Sequence, residues 1–186
     1  TYYIFDDSEH TYSNGTKINN SDRKYMGNIT MRTALSLSRN IPALKAFQEV
    51  SKKAGNEKIL NFATSLGLYP EVENGKIHEA HSLGAFTTKN GTTPLQMASA
   101  YAAFANGGYY QKATTINKIV FRDNGDVTSP KIDKVQVMSD ATAFMISSVL
   151  QNVALTGGTP YNMAVKTGTT NYDEQTIKKW RLPYNS

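Results

Sequence analysis

The stretch NMAVKTGTTNY, residues 162–172, places one lysine directly after a short apolar run. Residues 163–165 are typical of a short buried strand, and Lys166 stands at its end. The residues after the lysine supply hydroxyls and a bare backbone: Thr167, Gly168 and Thr169. Hydroxyls beside a cation can hold a carboxylate, and N–H groups that follow a glycine can stabilise an oxyanion. The stretch therefore predicts a site that binds an anion or stabilises a developing oxyanion.

The composition of the chain limits the class of protein, the kinds of site and the partners that we expect. It has 186 residues, 39% of them hydrophobic and 19% charged, which is typical of one globular domain. It contains no cysteine, so disulfides, thiolate metal sites and a cysteine nucleophile are excluded. The net charge of +5 favours anionic partners such as cell-wall polymer, a membrane surface or nucleic acid. The lysines are scattered rather than clustered with aromatic residues, so we do not expect nucleic acid to be the partner.

Helix signals fill the first two-thirds of the chain. Asn28 is a candidate cap for a helix over residues 29–37, and Pro42 fits the first turn of a helix that ends at Gly55. A third helix is predicted over residues 57–66. Thr93, Pro94 and Gln96 form a capping box that opens a fourth, whose predicted packing stripe is Leu95, Ala98, Tyr101, Ala102 and Ala105.

The last third of the chain adds strand signals. Residues 115–121 alternate as a strand does, RDNGD is a hairpin turn, and we expect the return strand near residues 134–137. Ser139 is predicted to cap a helix over residues 140–153, with inward side chains at Ala143, Met145, Ile146 and Leu150. Helices followed by antiparallel strands predict an α+β fold.

A second candidate motif is Ser38-x-Asn40, which lies on a break between two predicted helices. The pattern is weak by itself, because Asn40 before Pro42 is also a good helix N-cap. Its position at a helix break, far upstream of Lys166, makes it a candidate for the same site.

Other patterns do not predict sites. Ser21-x-x-Lys24 spells a serine-nucleophile motif, but it lies among polar residues where a solvated turn is expected. The spacing of His78, Glu79 and His81 is one residue too short to put both histidines on one helical face. Asp6, Asp7, Glu9 and His10 also read as a solvated loop. We therefore expect no metal site.

Lys166-Thr167-Gly168 with an upstream Ser38-x-Asn40 resembles the penicillin-recognising serine acyltransferases, the family of penicillin-binding proteins and serine β-lactamases. Residues 22–47, DRKYMGNITMRTALSLSRNIPALKAF, and residues 92–110, TTPLQMASAYAAFANGGYY, look like the transpeptidase domain of class A members. Residues 166–180 look like those of Gram-positive, streptococcus-type proteins. The resemblance covers nearly the whole chain, 1–186, and implies an antiparallel sheet flanked by helices.

The resemblance also implies a role for each matching residue. Ser38 would relay a proton to the leaving amine, and Asn40 would hold the lysine of the first family motif and the substrate amide. Arg39 would be the variable middle residue. Lys166 would line the other wall of the cleft. The carboxylate of a D-Ala-D-Ala stem peptide or of a β-lactam antibiotic would bind at Thr167, Gly168 and Thr169, and the Thr169 N–H would form half of an oxyanion hole.

One departure from the family pattern is large. The first motif, a nucleophilic serine followed three residues on by a lysine base, is not found on any predicted apolar helix. We therefore expect this chain to be part of a longer protein, called the parent protein below, that supplies the nucleophile helix and the closing strands. The central sheet would then be incomplete in this chain, and the rest of the same domain would be its partner.

For the parent protein, the resemblance implies a peptidoglycan D,D-transpeptidase without a metal or organic cofactor. Its place would be the outer face of the cytoplasmic membrane, with an N-terminal anchor and a glycosyltransferase domain outside this chain. A D,D-carboxypeptidase, a β-lactamase and a non-catalytic module that binds peptidoglycan or senses β-lactams stay open as alternatives. The β-lactamase is disfavoured because nothing matches its deacylating glutamate.

Overall fold

The computed structural model describes residues 2–84, 91–156, 161, 163–168 and 174–181. Helices account for much of this part of the chain: α1 (Met31–Ser36), α2 (Asn40–Ala54), α3 (Asn56–Ser65), a 3-10 helix (Glu79–Leu83), α4 (Pro94–Ala105), α5 (Asp140–Thr156) and α6 (Glu174–Trp180). The second and third predicted helices are confirmed to within one or two residues. Gly55 separates them with a positive φ of 88°, a conformation that costs a glycine little.

The strands are short and pair two by two, always antiparallel. They are β1 (Ile4–Asp7), β2 (His10–Thr11), β3 (Lys17–Ile18), β4 (Gly27–Thr30), β5 (Val72–Glu73), β6 (Lys76–Ile77), β7 (Tyr109–Gln111), β8 (Ile119–Val120), β9 (Val127–Thr128) and β10 (Lys134–Gln136). The pairs are β1–β4, β2–β3, β5–β6, β8–β9 and β7–β10. Helices with antiparallel strands confirm the predicted α+β class.

The predicted strand pairing near residues 115–137 is wrong in one respect. The RDNGD turn does form a hairpin, but it joins β8 to β9, with Ile119 opposite Thr128. The segment expected to return, β10, pairs instead with β7, where Gln136 lies opposite Tyr109. The hairpin turn is a local signal and was read correctly, whereas the partner of β10 depends on the packing of α4 and α5, which local sequence does not encode.

The predicted start of the first helix is also wrong. Asn28 lies in β4, opposite Asp6 of β1, and does not cap a helix. The cap is Thr30, whose side chain accepts a hydrogen bond from the Thr33 N–H. Asparagine and threonine are both good N-caps, and the pairing of β4 with β1 decides between them.

Helix α4 begins as predicted, but a different face of it is buried. The capping box forms, since the Thr93 side chain accepts from the Gln96 N–H and the Gln96 side chain accepts from the Thr93 N–H. The buried residues are Ser99, Ala100 and Ala103. The predicted stripe is exposed, with Leu95 at 62%. Alanines lie on both faces of this helix, so their spacing could not identify the packed one.

Two hydrophobic clusters hold the helices together. The first consists of Ile18, Ile41 and Leu44, with Tyr12 and Leu83 packed against it. The second is built on Leu66, Ala100 and Ala103, with Tyr110 and Met138 among the side chains that cover it. Helix α2 belongs to the first cluster and α4 to the second.

Helix α5 packs against α1 and also binds the segment that carries Lys166. The Arg32 guanidinium donates to the Ser148 carbonyl at 2.7 Å, and the Asn152 amide donates to Ser36 Oγ at 2.6 Å. The buried side chains of α5 include Ala143 and Leu150, as predicted, but Met145 is 47% exposed and that prediction is wrong. The Leu150 carbonyl also accepts the Val165 N–H at 3.3 Å. This bond brings the segment that carries Lys166 next to the C-terminal end of α1.

Candidate active site

Ser38 lies in the turn that ends α1. The Ser38 N–H donates to the Leu35 carbonyl at 3.1 Å, and the Arg39 N–H donates to the Ala34 carbonyl at 2.9 Å. These two bonds are those of a Schellman motif, in which the residue after the C-cap takes the left-handed conformation. That residue is Ser38, with φ at +52°. Glycine is the usual residue there, so the chain carries a strained serine where its hydroxyl is exposed.

Exchange of Ser38 should separate backbone strain from chemistry. Ser38→Gly and Ser38→Ala both remove the hydroxyl, but only glycine adopts a positive φ without strain. We expect the glycine variant to be more stable than the alanine variant by about 1 kcal/mol, or roughly 2–4 °C in melting temperature for a domain of this size. Thermal unfolding of the two variants side by side checks this, and an alanine variant that melts at the same temperature or higher would show that the turn is unstrained.

The Lys166 side chain reaches Ser38. Its Nζ donates to Ser38 Oγ at 2.8 Å and to the Thr167 carbonyl at 2.6 Å. Ser38 and Lys166 are 128 residues apart in the chain. The two motifs, which the sequence made candidates for one site, therefore lie together in the structure. Burial lowers the pKa of Lys166, because an ammonium loses hydration when it leaves water.

The strand predicted before Lys166 does not form. Residues 163–168 are irregular, and Met163 is 43% exposed. No neighbouring strand pairs with this segment in the part of the chain that the structure describes. An apolar run becomes a strand only where a ladder partner is available, so the pattern alone was insufficient. Thr167 and Gly168 are exposed beyond the lysine, and Thr169 lies outside the described residues.

Asn40 does not cap α2; it is the first residue of that helix, after Arg39 as N-cap. The cap interaction comes from Asn20, whose Oδ1 accepts the Asn40 N–H at 2.9 Å and the Ile41 N–H at 3.2 Å. The Asn40 side chain donates to the Asn19 carbonyl at 2.9 Å. The prediction of Asn40 as N-cap is wrong, because an asparagine distant in sequence takes that function.

Arg39 is the residue of this motif whose importance the sequence did not reveal. Its side chain is 5% exposed, and its Nε donates to Asp7 Oδ2 at 2.8 Å. Asp7 was predicted to lie in a solvated loop, but its side chain is fully buried in β1. One signal was available: Asp7 alternates with Phe5, and both point to the buried face of the strand.

The other patterns behave largely as expected. Ser21 lies in a turn, and both Ser21 and Lys24 are exposed, as predicted for a solvated turn. Glu79 is not in a solvated loop, because its carboxylate accepts hydrogen bonds from the Ser13 N–H and hydroxyl and from Gln48. Within the described residues, no group of three or more histidine, aspartate and glutamate side chains is arranged to hold a metal ion.

Comparison with known proteins identifies the family of this chain. The family model of the penicillin-binding protein transpeptidase domain matches residues 1–181. The chain is 43% identical to penicillin-binding protein 1A/1B of Bacillus subtilis over 188 residues, which is 98% of the chain and 20% of that protein. It is 38% identical to penicillin-binding protein 1A of Streptococcus oralis, covering 97% of the chain and 29% of that protein. The chain thus spans less than a third of each of these relatives.

Solved structures agree on the fold. PonA1 of Mycobacterium tuberculosis in complex with penicillin V has a TM-score of 0.75 at 24% identity, covering 92% of this chain and 48% of that one. The D,D-transpeptidase domain of a peptidoglycan glycosyltransferase from Eggerthella lenta has a TM-score of 0.72 at 20% identity, and the match covers 93% of this chain and 49% of that one. The match over residues 1–181 and the identity to the 1A/1B relatives show that the chain belongs to the penicillin-binding protein transpeptidase family.

Proposed function

We propose that this chain supplies the second family motif, Ser38-x-Asn40, and the third, Lys166-Thr167-Gly168, of a peptidoglycan D,D-transpeptidase that β-lactams acylate. The observation that carries the proposal is the 2.8 Å contact between Lys166 Nζ and Ser38 Oγ, which joins the two motifs at one place. The family membership supports it, as does the penicillin V bound to a protein of the same fold.

The reaction is acyl transfer through a serine ester. The nucleophilic serine of the parent protein attacks the carbonyl of the D-Ala-D-Ala bond, and its proton passes through the lysine base and the Ser38 hydroxyl to the departing amine. The C–N bond breaks and D-Ala leaves. An amine of a second stem peptide then attacks the ester, forms the new amide and returns the serine. Such chemistry requires neither a metal nor an organic cofactor.

Lys166 acts on this reaction through its charge. Its ammonium donates to the Ser38 oxygen, which leaves the hydrogen of that hydroxyl free to be donated to the reacting groups. The same positive charge favours the carboxylate at the end of a stem peptide or a penicillin. In this proposal that carboxylate binds at Thr167, Gly168 and Thr169, with the Thr169 N–H in the oxyanion hole, and Asn40 holds the substrate amide.

The whole chain, residues 1–186, is assigned in this proposal to a partial transpeptidase domain. In this proposal the remainder of the domain supplies the nucleophile helix and further strands, and the coverage of 48–49% of the two solved proteins described above supports it. The parent protein would work on the outer face of the cytoplasmic membrane. Among the described residues, no helix has the length and apolar character needed to cross a bilayer.

Labelling with a fluorescent penicillin tests the proposal. We expect the parent protein to form a covalent adduct, and peptide mass spectrometry to locate it on a serine followed three residues later by lysine. Addition of a D-Ala-D-Ala peptide together with an acceptor amine should then yield a cross-linked product. Release of D-Ala without cross-linking would favour a D,D-carboxypeptidase. A folded parent protein without any adduct would favour a non-catalytic binding or sensing module.

A further inference from the structure

The side chain of Arg39 connects three separate segments of the chain. Its Nε donates to Asp7 Oδ2 at 2.8 Å in β1, and one terminal nitrogen donates to Asp22 Oδ2 at 2.8 Å. The other terminal nitrogen donates to the Lys24 carbonyl. Burial by itself would lower the pKa of Arg39, but the hydrogen bonds that Arg39 donates to the carboxylates of Asp22 and Asp7, together with their negative charges, outweigh burial and raise the pKa. The guanidinium is therefore a buried, permanent cation.

Asn20 links this cation to the start of α2. Its Nδ2 donates to Asp7 Oδ1 at 2.7 Å and to the Lys24 carbonyl at 2.9 Å. Its Oδ1 accepts the backbone N–H groups of Asn40 and Ile41. Asp7 thus binds Arg39 with one carboxylate oxygen and Asn20 with the other, and Asn20 holds the first turn of α2. We call Asp7, Asn20, Asp22 and Arg39 the Arg39 network.

This network fixes the backbone conformation of the second motif, residues 38–40. Ser38 is exposed, Arg39 is buried and Asn40 is half-buried, so the middle residue points into the protein while its neighbours face outward. Ser38 has a positive φ, and Arg39 is extended, with φ at −73° and ψ at 123°. A left-handed serine followed by an extended residue is a conformation that persists only when surrounding contacts hold it.

Only an arginine can make these contacts. Three different N–H donors reach three acceptors in a fixed plane, whereas a lysine offers a single nitrogen. A buried ion pair is weak evidence for stability, since apolar residues of similar size often serve equally well. A role in fixing the conformation of the motif therefore explains this buried network better than a gain in stability does.

We propose that Arg39 is a positioning residue for acylation, because the Arg39 network holds the Ser38 hydroxyl at Lys166 and fixes Asn40 at the start of α2. The inference rests on the proposed function. It gives the three residues of the motif different roles. Ser38 and Asn40 contact the reacting groups, whereas Arg39 affects acylation only by positioning Ser38 and Asn40.

The test measures acylation of the parent protein by penicillin over a range of concentrations, which separates the first-order acylation rate constant from the binding constant. We expect Arg39→Lys to lower that rate constant at least tenfold, with a smaller effect on binding. The control is Arg122→Lys, at an arginine that is exposed in the turn between β8 and β9 and lies outside the network. Its acylation rate constant should stay within about twofold of the parent's.

The outcomes separate the two hypotheses. A parent protein that penicillin does not acylate overturns the proposed function and this inference with it. An acylated parent whose folded Arg39→Lys variant reacts within twofold of it, or no more slowly than Arg122→Lys, overturns the inference alone. If Arg39→Lys does not fold, Asn20→Ala decides by the same measurement, since it removes the bonds to the Asn40 and Ile41 N–H groups but keeps the guanidinium.

Discussion

Replacement of Lys166 by alanine should reduce the rate of acylation of the parent protein by penicillin about 100- to 1,000-fold. The ammonium lies 2.8 Å from the Ser38 oxygen, and its removal takes away both the orientation of that hydroxyl and the positive charge facing the substrate carboxylate. A preorganised charge at a reacting centre has an effect of this size because it need not reorganise during the reaction. The measurement is the time course of fluorescent penicillin labelling.

Two further variants isolate the cause of this loss. Lys118→Ala removes a lysine that is exposed at the β8–β9 hairpin, and it should label at the parent's rate. Lys166→Arg keeps the charge but replaces a point donor with a planar one, so we expect an intermediate rate. If Lys166→Ala labels as fast as Lys118→Ala, Lys166 has no role in acylation.

Replacement of Asp7 by alanine should produce the largest loss of stability, about 3–5 kcal/mol. The variant leaves the Arg39 cation buried without the carboxylate that its Nε binds, and it leaves the Asn20 amide without one of its acceptors. For a domain of 150–250 residues the loss corresponds to roughly 6–20 °C in melting temperature. Scanning calorimetry of the parent protein, following the transition of this domain, measures it.

The matched control for Asp7→Ala is Glu9→Ala. Glu9 also pairs with a cation, Lys17, but both side chains are largely exposed. Solvent screens such pairs, so we expect its melting temperature to stay close to that of the parent. The double variant Asp7→Leu/Arg39→Met removes both buried charges and should recover part of the loss. An Asp7→Ala variant as stable as Glu9→Ala would contradict the account of the network.

Much of the fold was predictable because it rests on local signals. Thr93, Pro94 and Gln96 act within one helical turn, and Gly55 ends α2 through its own backbone freedom. The start of α1 and the partner of β10 were not predictable in this way. Both depend on strand pairing between segments that are distant in sequence, and pairing overrides local capping preferences.

In the candidate site, too, some residues could be predicted from local sequence and others could not. The motifs at Ser38 and Lys166 could be recognised, because the chemistry of the family requires those residue types in that order. The residues that support them could not, since Asp7 lies in β1 and Asn20 in the loop after β3, and Asp7 binds Asn20 and Arg39 only after folding. A charged residue in a polar segment reads as solvated unless its neighbours in the strand, such as Phe5, are given equal weight.

The structure gives Arg39, the middle residue of the second motif, a specific role. The resemblance alone implied a variable position. In this structure its side chain is more deeply buried than those of its two neighbours, and it holds β1, the loop before β4 and the start of α2 together. Members of the family with another residue at that position would need a different support for the same turn.

A double-mutant cycle on Ser38 and Lys166 tests the central claim most directly. The acylation rate constant with penicillin is measured for the parent, Ser38→Ala, Lys166→Ala and the double variant. If the ammonium acts through the hydroxyl that it contacts, the double variant should be hardly slower than the slower single variant. Losses that simply multiply in the double variant would show that the two groups act independently, and would contradict the account.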